Sequence, residues 1–114
     1  MYNLIETIVA ISKIQPELLK HQESEIFTDL ELKQNESKNK IKSLGARYLI
    51  KRSILDFLEQ DNYHEIEILN DKQGKPEIFI KGKSKESMEI RAIKNTQISI
   101  SHSKNYVATL VTIE

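Results

Sequence analysis

The 114-residue sequence contains no cysteine, three glycines and two prolines, and its charges balance. The absence of cysteine excludes disulfides and thiolate chemistry, and a reduced cytoplasm is the compartment we expect. Seventeen basic residues against seventeen acidic ones leave no net charge, so we expect neither nucleic acid nor an anionic membrane as a partner. No apolar run approaches the ~18 residues of a membrane span, and the N-terminus lacks the pattern of a secretory signal. Few glycines and prolines predict mostly regular secondary structure.

The length predicts one domain, residues 1–114, built around one core. A domain of this size buries roughly two-thirds of the surface of its unfolded chain, so it can be stable alone but gains from oligomerisation.

The first third of the chain predicts short elements. Residues 2–14 mix β-branched and small polar residues, which predicts a strand that runs into a turn. Pro16 then suits the first turn of a short helix. Thr28 and Glu31 have the spacing of a capping box, which predicts a helix that starts there.

One long helix is predicted from Glu36 to Leu58, because apolar residues recur there at three- and four-residue intervals. These residues are Ile41, Leu44, Tyr48, Leu49, Leu55 and Leu58, and the stripe is widened by Ile50, Ile54 and Phe57. Gly45 costs about 1 kcal/mol relative to alanine inside a helix. A close packing contact would justify it.

The rest of the chain predicts a mainly antiparallel sheet. Residues 64–69 alternate as a strand, residues 70–76 turn, and residues 77–80 return. The charged residues 81–86 predict a mobile loop. Residues 97–102 and 106–113 predict two more strands. The expected fold class is α+β, with the long helix packed on the sheet.

Five segments together carry a family resemblance. They are IETIVAISKI (5–14), IFTDLEL (26–32), ARYLIK (46–51), IEILNDKQGKP (66–76) and ISISHSKNYVAT (98–109). In order and spacing they resemble the holo-acyl-carrier-protein synthases, the small trimeric members of the 4'-phosphopantetheinyl transferase superfamily.

The resemblance implies the fold of that superfamily and transfer of phosphopantetheine from coenzyme A to a serine of acyl carrier protein, in fatty acid or polyketide biosynthesis. It implies a trimer with the cofactor in the cleft between subunits. A metal would bridge the pyrophosphate, held by an aspartate of the first strand and a glutamate of the long helix.

Several positions depart from the family pattern at this implied metal and phosphate site. The strand aspartate corresponds to Thr7, and the neighbouring Glu6 should face the other side of the strand. The helix glutamate corresponds to Arg52, and the lysine one turn later corresponds to Asp56. A glycine-rich stretch after the helix is replaced by residues 59–61. Both implied ligands of Mg²⁺ are missing, so we expect Mg²⁺-dependent transfer to be weak or absent.

Arg52 and Asp56 are four residues apart on one helix face and can pair. In one interpretation the pair is a structural salt bridge of reversed polarity, worth a few tenths of a kcal/mol if exposed. In the other, Arg52 replaces the metal by placing its guanidinium against a diphosphate. The sequence leaves both interpretations open.

The resemblance also implies a set of site residues. Lys51 and Arg52 are the candidate catalytic positions, and the candidate contacts of coenzyme A are Lys51, Asp56, Gly74, Lys75, Pro76, Ser101 and His102. Lys51 would otherwise be a solvated helix residue, and His102 a packed, hydrogen-bonded histidine in phase with Ile98 and Ile100. No base or acid is spaced to make Ser99 or Ser101 a nucleophile. His21 and His64 are predicted to be surface residues far from these motifs.

A basic stretch leads into the long helix and contains Lys33, Lys38, Lys40 and Lys42, followed by Arg47 and Lys51. Acyl carrier proteins are acidic, so Lys40, Lys42 and Arg47 are candidate docking residues that would steer association. A solvated helix face is the simpler alternative.

Three functions are compatible with the sequence. They are a divergent transferase, a non-catalytic relative that binds acyl carrier protein or a pathway partner as a scaffold or regulator, and a retained fold with an unrelated role. The assembly would be a homotrimer or a mixed oligomer with an active paralogue.

Overall fold

Residues 3–36 and 40–114 are described here from a computed structural model. In chain order the elements are β1 (Asn3–Ala10), α1 (Ile11–Leu19), α2 (Glu23–Ile26), α3 (Asp29–Gln34), α4 (Lys40–Leu58), a 3₁₀ turn (Tyr63–Glu65), β2 (Ile66–Asn70), β3 (Pro76–Ile80), α5 (Gly82–Ile90), β4 (Thr96–His102) and β5 (Tyr106–Ile113). The predicted α+β class is confirmed. The predicted start of the long helix, at residues 36–39, falls largely outside the described residues.

Two antiparallel sheets form the β layer. One has the strand order β1-β5-β4, and the other is the hairpin of β2 and β3. The register of β1 against β5 is continuous and places Thr7 opposite Thr109. Thr7 is half-buried and Glu6 is exposed, so the two side chains lie on opposite faces of β1, as predicted.

The long helix α4 lies across the inner face of the three-stranded sheet. Its apolar residues join those of β2 and β5 in the main core cluster, whose fully buried members include Ile50, Ile54, Ile66, Ile68 and Val111. The apolar periodicity of α4 therefore covers both sheets with one helix.

Gly45 lies at the closest approach of α4 to α1. A Cβ atom at this position would lie 2.8 Å from Cγ2 of the buried Ile14. The close contact expected from the sequence is present, and it explains a glycine in the middle of a helix.

The first predicted strand was too long, and the helix after it begins earlier than predicted. The strand ends at Ala10 and α1 begins at Ile11, so Pro16 is the sixth residue of the helix and not part of its first turn. A proline there removes the hydrogen bond to the carbonyl of Ser12. Both residues are exposed, so water can satisfy that carbonyl.

The predicted mobile loop at residues 81–86 was wrong, because Gly82–Ile90 forms α5. The carboxylate of Glu65 accepts hydrogen bonds from the backbone amides of Lys83 (2.7 Å) and Ser84 (3.2 Å) and from the Ser84 hydroxyl (2.8 Å). This cap comes from another part of the chain, so the local pattern gave no sign of it.

Candidate functional site

Lys51 and Arg52 are adjacent on α4, but the Lys51 side chain is buried in the protein and the Arg52 side chain reaches solvent. The Lys51 ammonium is completely buried. It donates to the carboxylate of Glu31 (2.6 Å) and to the backbone carbonyls of Ile26 (2.8 Å) and Tyr63 (3.2 Å). All three of its protons are used within the protein.

The buried Lys51–Glu31 pair connects five elements, α2, α3, α4, the 3₁₀ turn and β2. Glu31 also accepts from the backbone amides of Thr28 (2.9 Å) and Ile68 (2.9 Å), so its capping box holds α3 to β2 as well. Burial lowers the pKa of Lys51, and the negative charge of Glu31 opposes that shift. In this arrangement Lys51 has no proton left for a phosphate, and it is not a solvated residue either, so neither sequence-based interpretation describes it.

Arg52 forms the surface half of the site. Its guanidinium donates to the Asp56 carboxylate (2.5 Å) and, more weakly, to the Tyr63 hydroxyl (3.4 Å), and it lies over the Tyr63 ring at 5.8 Å. The side chains of Arg52 and Asp56 are 39% and 64% exposed. The predicted pair of opposite charges is therefore present and accessible to solvent.

Tyr63 contacts the other aromatic residues of the site, and no motif in the sequence indicated this role. Its ring stacks on Tyr48 at 6.0 Å and meets His21 edge-on at 6.0 Å. Burial and the neighbouring Tyr63 raise the pKa of Tyr48 to about 12. The predicted surface position of His21 was wrong, because its ring is half-buried against these tyrosines. His64 is also half-buried and donates a hydrogen bond to the Ser24 carbonyl (2.6 Å).

The residues at the implied metal positions do not fit a divalent cation. Thr7 offers a neutral hydroxyl on the half-buried face of β1, across from Thr109, whose buried hydroxyl has no hydrogen-bond partner. Arg52 offers a cation. Within residues 3–36 and 40–114, no group of three or more His, Cys, Asp or Glu side chains could hold a metal ion. Magnesium needs oxygen ligands, and carboxylates above all.

The predicted cofactor contacts fall in separate places. Lys75 and Pro76 line a groove of about 330 Å³ between β3 and the start of β4, next to the turn residue Gly74, whose φ is +83°. Ser101 and His102 are exposed at the far end of β4. At about 3.3 Å per residue, His102 lies roughly 13 Å along the strand from Ile98, which lines the groove. The two groups of predicted contacts therefore lie apart on a single chain.

The predicted docking residues also separate. Lys40 is accessible and bridges to Glu23 at 2.9 Å, and Lys42 is half-buried. Arg47 is 5% exposed and donates to the Ser43 carbonyl (3.0 Å) and to the Asn70 side chain (2.9 Å). Its burial rules out the predicted surface contact in this arrangement. Lys38 lies outside the described residues.

Lys40 lies at the edge of a small apolar pocket. The pocket has a volume of about 90 Å³ and is lined by Gln15, Leu18, Leu19, His21, Glu23, Ile26, Phe27, Ile41 and Leu44. Leu19 is 76% exposed. Among the described helices, none is long and apolar enough to cross a membrane.

Known proteins resemble the chain in sequence and in fold, although no model of a protein family matches it. A holo-[acyl-carrier-protein] synthase of Dehalococcoides mccartyi is 33% identical over 94 residues, which cover 80% of this chain and 77% of the relative. One of Caldanaerobacter subterraneus is 30% identical over 111 residues, 93% and 84% of the two chains.

Solved structures agree on the fold. The holo-[acyl-carrier-protein] synthase of Neisseria meningitidis superposes with a TM-score of 0.79 at 22% identity, over 97% of this chain and 96% of the other. The Helicobacter pylori enzyme, solved in complex with coenzyme A, gives 0.77 at 19% identity, over 98% and 100%. Since relatives at 30% identity and above match over most of their length, this chain belongs to the holo-[acyl-carrier-protein] synthase family.

Proposed function

We propose that this protein binds coenzyme A and acyl carrier protein as a phosphopantetheinyl transferase-family protein whose own Mg²⁺-dependent transfer is weak or absent. Family membership supports the two ligands, and relatives of the same fold have been solved with coenzyme A. The observation that carries the proposal is the pairing of Arg52 with Asp56 where the family pattern has a metal-binding glutamate.

The missing metal ligands set the size of the expected loss. A metal that polarises a transferring phosphoryl group contributes several kcal/mol to transition-state stabilisation. Each 1.36 kcal/mol is a factor of ten in rate. The rate should therefore fall by at least two orders of magnitude. The guanidinium of Arg52 can supply part of that transition-state stabilisation, but it cannot bridge several oxygens as a metal does.

The transfer experiment combines the protein with coenzyme A, Mg²⁺ and apo-acyl carrier protein and follows the intact mass of the carrier. We expect no rapid gain of a phosphopantetheine mass with the wild-type chain. Thr7→Asp/Arg52→Glu restores the family residues at both positions and should gain Mg²⁺-dependent transfer, while Arg52→Ala alone should not. Rapid transfer by the wild-type chain would overturn the proposal.

Carrier-protein docking is proposed at the apolar pocket beside Lys40. The exposed Leu19 and the neighbouring Ile41 offer apolar contact, and Lys20 and Lys40 lie beside the pocket in exposed ion pairs with Glu17 and Glu23. A partner helix with acidic and apolar residues fits such a surface. Lys40→Glu/Lys42→Glu should weaken the binding of apo-carrier protein and make the affinity less dependent on salt concentration. Lys72→Glu, in the β2–β3 turn, should do neither.

The non-catalytic alternative is favoured by this same surface, which does not depend on Thr7 or Arg52. A scaffold or regulator would bind the carrier protein without modifying it. If both the wild type and Thr7→Asp/Arg52→Glu bind the carrier protein but neither adds a phosphopantetheine mass to it, the scaffold or regulator is favoured over a weakened transferase.

The outer face of the three-stranded sheet supports self-association. Leu4 and Ile8 are 54% and 62% exposed there on either side of Glu6, and the register places Leu110 and Ala108 of β5 beside them on the same face. Exposed apolar patches of this kind mark interfaces. We propose that a second and a third copy cover it, or copies of an active paralogue in a mixed oligomer.

Assembly would also bring together cofactor contacts that one chain keeps apart. Ile8→Glu should convert the oligomer to monomers in light scattering, whereas Lys13→Glu, on an exposed turn of α1, should not. The cytoplasm remains the compartment expected from the absence of cysteine.

A further inference from the structure

We infer that Arg52 forms a metal-independent binding site for a diphosphate, and that Asp56 closes this site until the ligand displaces it. The inference rests on the proposed function and deepens it, because coenzyme A contains a diphosphate. It rests on the geometry of Arg52, Asp56 and Tyr63.

The guanidinium is held ready for a planar, bidentate ligand. It lies over the Tyr63 ring at 5.8 Å, and its weak hydrogen bond to the Tyr63 hydroxyl limits its rotation. Tyr63 is itself fixed, because the buried Lys51 donates to its backbone carbonyl (3.2 Å) and Tyr48 stacks on its ring. A preorganised guanidinium loses less conformational entropy for each bond it forms to a phosphate.

The guanidinium also has free donors. Of its five N–H groups, one bonds to Asp56 and one points to Tyr63. The side chain is 39% exposed, and no hydrogen bond within the described residues uses the remaining three N–H groups. Parallel N–H donors of arginine match the oxygens of a phosphate.

Asp56 is the group that opposes binding. Its carboxylate is the acidic partner of Arg52 at 2.5 Å and is 64% exposed, so it can turn into water when an anion arrives. An exposed pair at this helix spacing changes an equilibrium by only about a factor of two. A diphosphate carries more charge than one carboxylate and can form two parallel hydrogen bonds, so it should win this competition.

A second arginine provides a matched control. Arg91 also lies over an aromatic ring, that of Phe57 at 5.7 Å, and also has a carboxylate nearby, that of Glu59 at 3.8 Å. Its side chain is 36% exposed, close to the value for Arg52. Unlike Arg52, it donates to a backbone carbonyl, that of Phe57 (2.7 Å), so part of its hydrogen-bonding capacity is already used.

The test is a calorimetric titration with inorganic pyrophosphate in the presence of EDTA. We expect the wild-type protein to bind, Arg52→Gln to bind at least about tenfold more weakly, and Asp56→Asn to bind about threefold to tenfold more tightly. Arg91→Gln should bind like the wild type. Circular dichroism of each variant checks that it is folded.

Two results of the pyrophosphate titration would overturn the inference. One is an equal loss in Arg52→Gln and Arg91→Gln, which means nonspecific attraction to surface cations. The other is an absence of binding in both the wild type and Asp56→Asn. Pyrophosphate requires neither coenzyme A nor carrier protein, so this outcome is separate from the proposed function. Binding of coenzyme A that is unchanged in Arg52→Gln would remove the Arg52 site and leave the proposed function standing.

Discussion

Removing the buried cation Lys51 should destabilise the protein far more than breaking the surface pair of Arg52 and Asp56. The donor–acceptor distances are nearly equal, 2.6 Å and 2.5 Å. Burial differs completely, since Lys51 and Glu31 are both 0% exposed. The two pairs therefore separate the effect of burial from that of distance within one helix.

The magnitude follows from what Lys51→Met leaves behind. The Glu31 carboxylate keeps its two amide donors but loses its counterion, and the carbonyls of Ile26 and Tyr63 lose a donor. Breaking a buried pair from one side costs about 3–5 kcal/mol, a large part of the 5–15 kcal/mol that typically stabilises a domain. Asp56→Ala should cost less than about 0.5 kcal/mol.

Urea unfolding at pH 7, followed by circular dichroism at one fixed protomer concentration, measures these differences. Lys51→Met/Glu31→Gln should be more stable than Lys51→Met alone, because no unpaired charge then remains buried. If Lys51→Met does not fold, recovery of folding in the double variant is the same readout. A loss below about 1 kcal/mol in Lys51→Met, or a double variant that is less stable still, would refute the reasoning.

Three further predictions concern the fold. Gly45→Ala should lower the free energy of unfolding by about 1–2 kcal/mol, since overpacking against Cγ2 of Ile14 outweighs the gain in helix propensity. The loss should be smaller when Gly45→Ala is made in an Ile14→Ala background, which lacks that methyl group, and a Gly45→Ala variant as stable as the wild type would contradict the close contact. Burial works to raise the pKa of the Glu65 carboxyl, but the hydrogen bonds from Ser84 and Lys83 lower it overall. The stabilisation by Glu65 is thus present above its unfolded pKa, near 4.3, and is lost as the pH falls through the lower folded pKa. Glu65→Gln should therefore lower the free energy of unfolding by about 1 kcal/mol at pH 7 and leave it unchanged in strong acid. A difference between variant and wild type that stays constant with pH would contradict this. Gly82→Ala should cost more than Gly74→Ala, because both glycines have positive φ but only at Gly82 would a Cβ meet the Glu65 carboxylate; equal melting temperatures would argue against that contact.

Local patterns predicted most of the fold. The apolar periodicity of α4, the alternation in β2 to β5 and the capping box of Thr28 and Glu31 depend on neighbours in sequence, and all three are present. Helix α5 was missed because GKSKESMEI has no apolar stripe and its cap, Glu65, lies 18 residues before Lys83. The early start of α1 was missed because Ile11 to Ile14 continue the β-branched run of β1.

The candidate site was less predictable, since its contacts are long-range. The Arg52–Asp56 pair could be predicted because its spacing is local. The burial of Lys51 depends on Glu31, 20 residues away, and that of Arg47 on Asn70, 23 residues away. Tyr63 and His21 lie in segments without a motif, so only the folded arrangement connects them to Arg52.

Lys51 is buried and Arg52 is exposed, so the fold and the chemistry of the site depend on different residues of the same helix. The charge that the core requires is at position 51, and the charge that we propose to bind a diphosphate is at position 52. A substitution at position 52 should therefore change the stability of the protein little. The residue at this position can change during evolution between an acidic and a basic one while the protein stays folded. We expect a homologue with a different residue at position 52 to retain this helix and its buried lysine.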